Sequence, residues 1–575
     1  MGVSPALHTA LSSLLAQQVG LNTVGHNLAN ASTPGYSRQR VNLLPQTASR
    51  YTYGAIGQGV KVDSITRTVD EFVNSEIRGS QTTLQGLESR QLAYERLEAM
   101  FSELTGNDLS TAVDSFFQSL HDLSATVDSQ PTREQVVQEA QTLVEAINGL
   151  YRSMTAYRAT LNEGVIDQVD KVNTLLDDIA RLNVQIGINE GSTGASENDL
   201  RDVRDGKLRE LAGLLEITVA EQPNGSVSVS TRGMPLVIFE RTYHLTTQLA
   251  NGENMAINEV LFEDGGGRLL TTKGALPASI QARDDVLTSF MDDLDQFAAT
   301  LIFEFNRIHS QGVGTEALTA VTGQNAPVDP SIALNQMNLG FTPRPGTFQV
   351  VNGSLTISLV NSASGEVSQY RVPIDLDGVG ADTSLNDLVA GINAAVPAGT
   401  LTASLDIFNR LQITSQDPST YGFYFSEDTS GVLATLGVNG FFSGHGASSI
   451  AVDPTVASGV RFLAAGKTTA VGDSDNLLAM IDLRDQVLLD SGTKTMEEYY
   501  RGFVGRMAAE SARTTTQLEL NQSVLTSLEN ERENISGVSI DEEMTKMIEY
   551  QRAYQASAQF MAVLNTILDN LLNVA

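Results

Sequence analysis

The 575-residue chain holds 68 acidic against 36 basic residues, a net charge of −32, and no cysteine. That balance argues against a nucleic-acid backbone or an anionic membrane as partner, and the missing thiols exclude disulfides and thiolate metal sites. No apolar run is long enough to span a bilayer, and the length predicts several domains.

Near the N-terminus, Leu7, Leu11, Leu14, Gln18, Leu21, Gly25 and Leu28 recur at alternating steps of four and three, five of the seven apolar. That is the stripe of an amphipathic helix. It stops at Asn30-Ala31-Ser32-Thr33-Pro34-Gly35-Tyr36, where Pro and Gly end a helix and Gly35 is placed for a positive φ. The first basic residue is Arg38, too late for the charged start of a cleaved secretory signal. Residues 41–69, with Gly54, Gly57 and Gly59 among aromatic and β-branched residues, read as short strands. A helix is predicted over 81–104, with Leu87, Tyr94 and Phe101 at heptad spacing and Leu97 and Leu104 alongside. A shorter amphipathic run covers 109–127.

The strongest periodicity lies in 131–189. Val137, Ala140, Val144, Ile147, Tyr151, Met154, Arg158, Leu161, Val165, Gln168, Val172, Leu175, Ile179, Leu182 and Ile186 keep the four-three stride, thirteen of the fifteen apolar. Pro131 suits the first turn, and Gly191 with Gly194 marks the stop. At 1.5 Å per residue the helix would be on the order of 85 Å long. A helix follows at 200–215, then a β-hairpin turning at Pro223-Asn224-Gly225, and further strands up to Leu270. Leu287, Phe290, Leu294, Phe297, Leu301, Glu304 and Ile308 mark another helix, over 283–310, expected to pack against the long one.

From about 340 to 442 the composition shifts to Gly, Ser, Thr and β-branched residues. Residues 348–359 read as strand, Asn352-Gly353 turn, strand; 384–396 as a short helix; 401–414 as a second hairpin. Helices resume near Asn476, and Tyr500, Val504, Met507, Leu518, Leu525 and Leu528 share a face over 495–533. The last forty residues give the seam Ile540, Met544, Met547, Gln551, Tyr554, Ala558, Met561, Asn565, Leu568 and Leu572, with Phe560, Leu564, Ile567 and Leu571 beside it. That apolar face is too wide for one partner helix. Its first partner is expected to be the N-terminal stripe, with neighbouring subunits on the remainder. Ser539 is the expected N-cap, with Glu542 and Glu543 against the helix dipole. Tyr550 and Tyr554 read equally well as core and as interface.

Catalytic and metal motifs fail on spacing. Gly466-Lys467-Thr468 has Arg461 where a phosphate loop needs its first glycine. Asp375-Leu376-Asp377-Gly378 lacks the later ligands of a calcium loop and reads as an acidic turn. The six histidines show no metal-ligand spacing, and no Gly-x-Ser-x-Gly elbow occurs. No cofactor is expected.

Two stretches carry a resemblance. His26-Asn27-Leu28-Ala29-Asn30-Ala31-Ser32-Thr33-Pro34-Gly35-Tyr36-Ser37-Arg38-Gln39 resembles the N-terminal signature of bacterial flagellar axial proteins, in the form closest to the hook-associated proteins. Gly537-Val538-Ser539-Ile540-Asp541-Glu542-Glu543 and Tyr550-Gln551-Arg552-Ala553-Tyr554-Gln555-Ala556-Ser557-Ala558 are similar to that family's C-terminal motif. The implied fold is mixed α and β, a discontinuous long-helix coiled-coil bundle built from both chain ends, with inserted β-rich domains. Residues 1–45 and 536–575 would form an inner tube domain, 46–212, 281–339 and 470–535 the long-helix bundle, 213–280 a β-rich insertion, and 340–469 an outer β-rich domain that resembles the insert of flagellins. The implied function is a structural, non-enzymatic subunit joining the flagellar hook to the filament. Its partners would be itself in a helical ring, the hook protein, a second hook-associated protein, and an export chaperone on the C-terminal helix. Composition alone suits the cytoplasm; the resemblance implies type III export to the extracellular flagellum. Leu7, Leu11, Leu14, Leu21, Leu28, Thr33, Pro34, Gly35, Tyr36, Met547, Tyr550, Gln551, Tyr554, Ala558, Met561 and Leu568 are the expected subunit interface. The rival readings are the hook protein or another axial protein and, from a different class, a surface enzyme or glycan-binding protein using the outer domain.

Overall fold

A computed structural model describes the chain except residues 1–2, 53, 103–108, 252–255 and 575. Its helices, in chain order, are α1 (Val3–Ala29), α2 (Glu71–Ser102), α3 (Leu109–Ser124), α4 (Gln130–Thr193), α5 (Asn198–Leu214), α6 (Ala275–Gln281), α7 (Leu287–His309), α8 (Leu385–Ala395), α9 (Val432–Leu436), α10 (Pro454–Ser458), α11 (Asp475–Asp482), α12 (Met496–Ser536) and α13 (Ile540–Val574). Two compact units form: residues 1–93, 160–282 and 512–575 make the first, 94–159 and 283–511 the second. The architecture is thus mixed, with long helices at both ends of the chain and β-rich inserts between.

In the first unit, Gln39–Pro45 pairs antiparallel with Val60–Arg67, and four strands between Thr218 and Thr242 form a meander. The sheet turns on Gly225 at φ 78°, the position the Asn-Gly pair marks. Val227, Val229, Leu236 and Val237 from this sheet pack with Leu208 and Leu211 of α5 and with Val169, Val172, Leu176 and Ile179 of α4. A smaller cluster joins Val73, Ile77 and Leu84 of α2 to Leu525 of α12.

The predicted stripe of α4 holds. Thirteen of its fifteen positions are buried, with Leu161 and Gln168 half-buried. The α2 helix, by contrast, begins ten residues before the predicted start at 81. Its cap is Asp70, whose Oδ1 accepts the Phe72 amide at 2.9 Å. Leu104, placed in that helix by its spacing, lies outside the described residues.

The second unit has two cores. In one, Phe116 of α3 lies 5.4 to 5.9 Å from the rings of Phe117, Phe305, Phe441 and Phe442. In the other, strands Gly353–Asn361, Val367–Ile374 and Tyr421–Ser426 form one sheet, with α8 and the Leu401–Leu405 and Leu411–Ser415 hairpin beside it. Ser384 caps α8 in a reciprocal box with Asp387. The expected Asn352-Gly353 hairpin turn is a correction. The strand only starts at Gly353, and the turn falls at residues 362–366. Asn352 instead uses its side-chain oxygen to accept the Leu376 amide at 3.0 Å, and Phe348, at φ 51°, is not in a strand. The Gly466-Lys467-Thr468 amides are turned inward: Lys467 and Thr468 both donate to Asp473 Oδ2, at 3.2 and 2.8 Å. In the acidic turn, Asp377 and Asp382 accept the amides of Val379 and Gly378.

At the end of α7, His309 is fully buried. Its Nε2 accepts the Ala464 amide at 2.9 Å, so the proton sits on Nδ1, which donates to the Asn439 carbonyl at 2.9 Å. Burial, against the pull of the Asn439 bond, lowers its pKa from 6.5 to about 4. The unfolded chain therefore binds more protons between those values, and this contribution to stability, complete above pH 6.5, is lost on acidification. Lowering the pH from 7 to 5 should cost the second unit about 2 kcal/mol through this residue. Calorimetry at the two pH values should show that loss in the parent chain and a flatter response in His309→Gln.

Candidate subunit interface

The two chain ends meet as an antiparallel helix pair. Ser13 Oγ lies 2.8 Å from Ser557 Oγ, Gly20 sits under the ring of Tyr550, and Asn27 Nδ2 donates to Glu543 Oε2 at 2.9 Å. These three pairs step seven residues along each helix in opposite directions, so one face of each stays in contact throughout. A Cβ on Gly20 would stand 2.7 Å from the tyrosine ring, which means the ring rests on bare backbone. The α1 residues buried here are Ala10, Ala16, Gly20, Thr23, Val24 and Asn27.

The predicted partnership is present, but along a different line. The contact follows Glu543, Tyr550 and Ser557, beside the seam through Met547, Tyr554 and Met561. Small α1 residues admit a close approach that leucines would prevent. Leu7, Leu14, Leu21 and Leu28 are half-buried, and Leu11 is 49% exposed. On α13, Met547, Tyr550, Met561 and Leu568 are half-buried, Gln551 and Ala558 exposed, and Tyr554 is 39% exposed. In the second row Leu564 is buried while Phe560 and Ile567 stay exposed. The side chains of Leu571 and Leu572 lie outside the described residues. The apolar face is indeed wider than one helix covers. Ile540, Met544, Ile548 and Val563 of α13, with Leu15 of α1, extend what is left open.

At the other end of the pair, the signature residues tie a polar knot. Asn27 is 1% exposed and uses both ends of its amide. Its Nδ2 also donates to the Gln39 carbonyl at 2.9 Å, and its Oδ1 accepts from the Tyr36 hydroxyl at 2.8 Å and the Gln39 amide at 3.0 Å. The Glu543 side chain, 1% exposed, takes Arg38 Nε on Oε1 at 2.9 Å, and Arg38 Nη2 reaches Glu542 at 2.9 Å. The Arg38 amide donates to the Ser536 carbonyl at 2.8 Å, tethering this segment to the last residue of α12. Ser37 N–H and Arg67 Nη1 hold Asp202 of α5 at 2.9 and 2.7 Å. Burial first, then the charges of Asp199, Asp202 and Glu543, push the Tyr36 phenol well above its ordinary value, so it remains a donor.

Of the residues expected in the turn, Thr33 and Pro34 are exposed, Gly35 takes φ 83°, and Tyr36 is buried inside the chain. Tyr36 thus serves the knot and is removed from the exposed surface. Sequence reasoning did not single out Asn27, Arg38, Gln39 or Asp202, and it read Glu543 as a helix-dipole residue only. The first three and Glu543 stand within the quoted signatures; Asp202 carries no signal of its own. The arrangement is mechanical: a buried lock at one end, an open apolar face along the rest. Among the described residues no group of three His, Cys, Asp or Glu could hold a metal.

Asn27→Ala would leave Glu543, Gln39 and Tyr36 short of partners in a dry site, a loss of roughly 2–4 kcal/mol. Calorimetry should show the transition of the first unit fall while that of the second is unchanged; a uniform shift would contradict the local role.

Comparison with known proteins fits this geometry. Residues 94–325 match a family model described as the helical domain of flagellar hook-associated protein FlgK. Residues 7–36 match the flagella basal body rod protein model, and 531–574 the C-terminal model of the flagellar basal body rod FlgEFG proteins. The chain is 25% identical to "Flagellar hook-associated protein 1" of Salmonella typhimurium over 590 residues, covering 100% of both chains. It is 24% identical to the protein of that name in Bacillus subtilis, covering 99% of this chain and 97% of the other. The fold matches the flagellar hook junction protein FlgK from Burkholderia pseudomallei with TM-score 0.50 at 15% identity, covering 80% of this chain and 100% of that one. Both ends match axial-protein models, the helical middle matches the hook-associated protein model, and over its full length the chain is similar to hook-associated proteins of the bacterial flagellum.

Proposed function

We propose that this chain is the structural subunit that joins the flagellar hook to the flagellin filament by helical self-assembly. The observation that carries this reading is the open apolar face of the α1–α13 pair. Leu11 and Leu15 are 49% and 54% exposed, and Ile540, Met544, Ile548, Phe560, Val563 and Ile567 are between 43% and 56%. A folded monomer gains nothing from that surface, whereas neighbouring copies would bury it. Helical assembly uses head-to-tail contacts. One end of the ring then meets the hook protein and the other a second hook-associated protein. The role is structural, without catalysis. The chain reaches the flagellum unfolded, through the type III channel and without a cleaved signal, and a chaperone covers the apolar face of α13 before export.

Tyr554→Asp separates folding from assembly. Tyr554 is 39% exposed, so the monomer should unfold within about 0.5 kcal/mol of the parent. In the assembled ring the same aspartate would be a buried, unpaired charge costing several kcal/mol. Cells carrying it should keep hooks, lose junctions and shed flagellin into the medium. A large fall in monomer melting temperature with junctions intact would overturn the reading.

A further inference from the structure

Beside the Pro34-Gly35 turn, three arginines from three helices converge on one small cleft: Arg78 of α2, Arg209 of α5 and Arg532 of α12. In a chain with 68 acidic and 36 basic residues, cations are scarce, and three of them meet here. Among the described residues none of them pairs with a carboxylate, although Arg78 is only 9% exposed and Arg209 Nε reaches no more than the Asp205 backbone oxygen, at 3.4 Å.

The nearby carboxylates are engaged or turned away. Asp205 Oδ2 is held by Arg67 at 2.8 Å, and Asp202 by Arg67 and the Ser37 amide. Glu529 influences Arg209 without pairing with it. Burial, followed by the charge of Arg532, holds Arg209 below its ordinary pKa, and burial does the same to Arg78. Clustered guanidiniums of this kind repel one another until an anion arrives. The free space among them is about 10 Å³, near that of a single water, so it admits one oxygen of an anion whose remainder stays at the mouth of the cleft. A groove of about 210 Å³, sharing Gly35 and Arg532, leads along the exposed side of the turn.

We propose that this cleft receives a carboxylate side chain from a neighbouring copy of the same chain during assembly, and so sets the register between subunits. The occupant follows from charge: the chain that self-assembles here has nearly two acidic residues for each basic one. The proposal rests on the self-assembling junction subunit described above. Its chemistry is a charge-assisted hydrogen bond in a partly dry site, the setting in which arginine outperforms lysine.

The test uses intact flagella. Asn74, which lines the cleft, is replaced in the full chain by photo-reactive benzoylphenylalanine, and isolated flagella are irradiated. The expected product is a dimer of this chain whose cross-linked peptide contains Asp or Glu. Adding Arg209→Gln and Arg532→Gln should lower the dimer yield at least roughly tenfold, the scale of a lost desolvated charge pair. Flagella that contain the chain but give no dimer, a cross-link to a different protein, or an unchanged yield in the double variant would overturn the proposal while leaving the junction role standing. Absence of the chain from flagella would overturn both.

Discussion

The carboxylate of Glu543, almost wholly removed from water, is the point on which the paired chain ends depend. A charge in that position costs several kcal/mol to desolvate and is tolerable only when fully partnered. Here the partners are the Asn27 amide and the Arg38 guanidinium, with Lys546 at 3.4 Å. Two of the three come from the other end of the chain. The lock therefore cannot form until residues 516 positions apart have met. That separation is thermodynamically less demanding than it sounds, since doubling a flexible loop adds only about 0.6 kcal/mol of closure entropy. A terminal helix pair is accordingly compatible with very long insertions between its halves.

What lies between has its own reasons to fold. The phenylalanine cluster about Phe116, the sheet packed around Ile357 and Phe425, and the α4–α5–sheet core each close without the terminal pair. Perturbations at the knot and in the second unit should add independently, because they share no partners. The terminal pair is free to keep an apolar face that a self-sufficient domain would have to cover.

Periodic signals were legible in the sequence wherever one face was dry over many turns. The α4 stripe is the clearest case, because thirteen burials in phase leave little room for another reading. Hairpins turning on Gly225, and on the loop between Leu405 and Leu411, were equally readable. The failures share a cause in tertiary competition. Asn352 has the residue type for a tight turn but bonds Leu376, 24 positions away. The first turns of α2 lack a strong apolar stripe and depend on Asp70 and on Leu525 of α12. In α1 the leucines dominate the pattern, while the closest contact is made by Gly20, which has no hydropathy signal at all. The buried knot was visible only as a motif, since no periodicity rule distinguishes a lone Asn in a lock from one on a surface.

The antiparallel course of α1 and α13 has a practical side. Because Ser13 faces Ser557 and Asn27 faces Glu543, the first turns of α1 and the last turns of α13 emerge at the same end of the pair. A tag fused to either terminus would project from one shared spot, next to the open apolar face of the pair. Moving the tag from one end of the gene to the other would relieve nothing. The hairpin tip at Ile407 and Phe408, 90% and 65% exposed, offers an insertion point within the second unit instead.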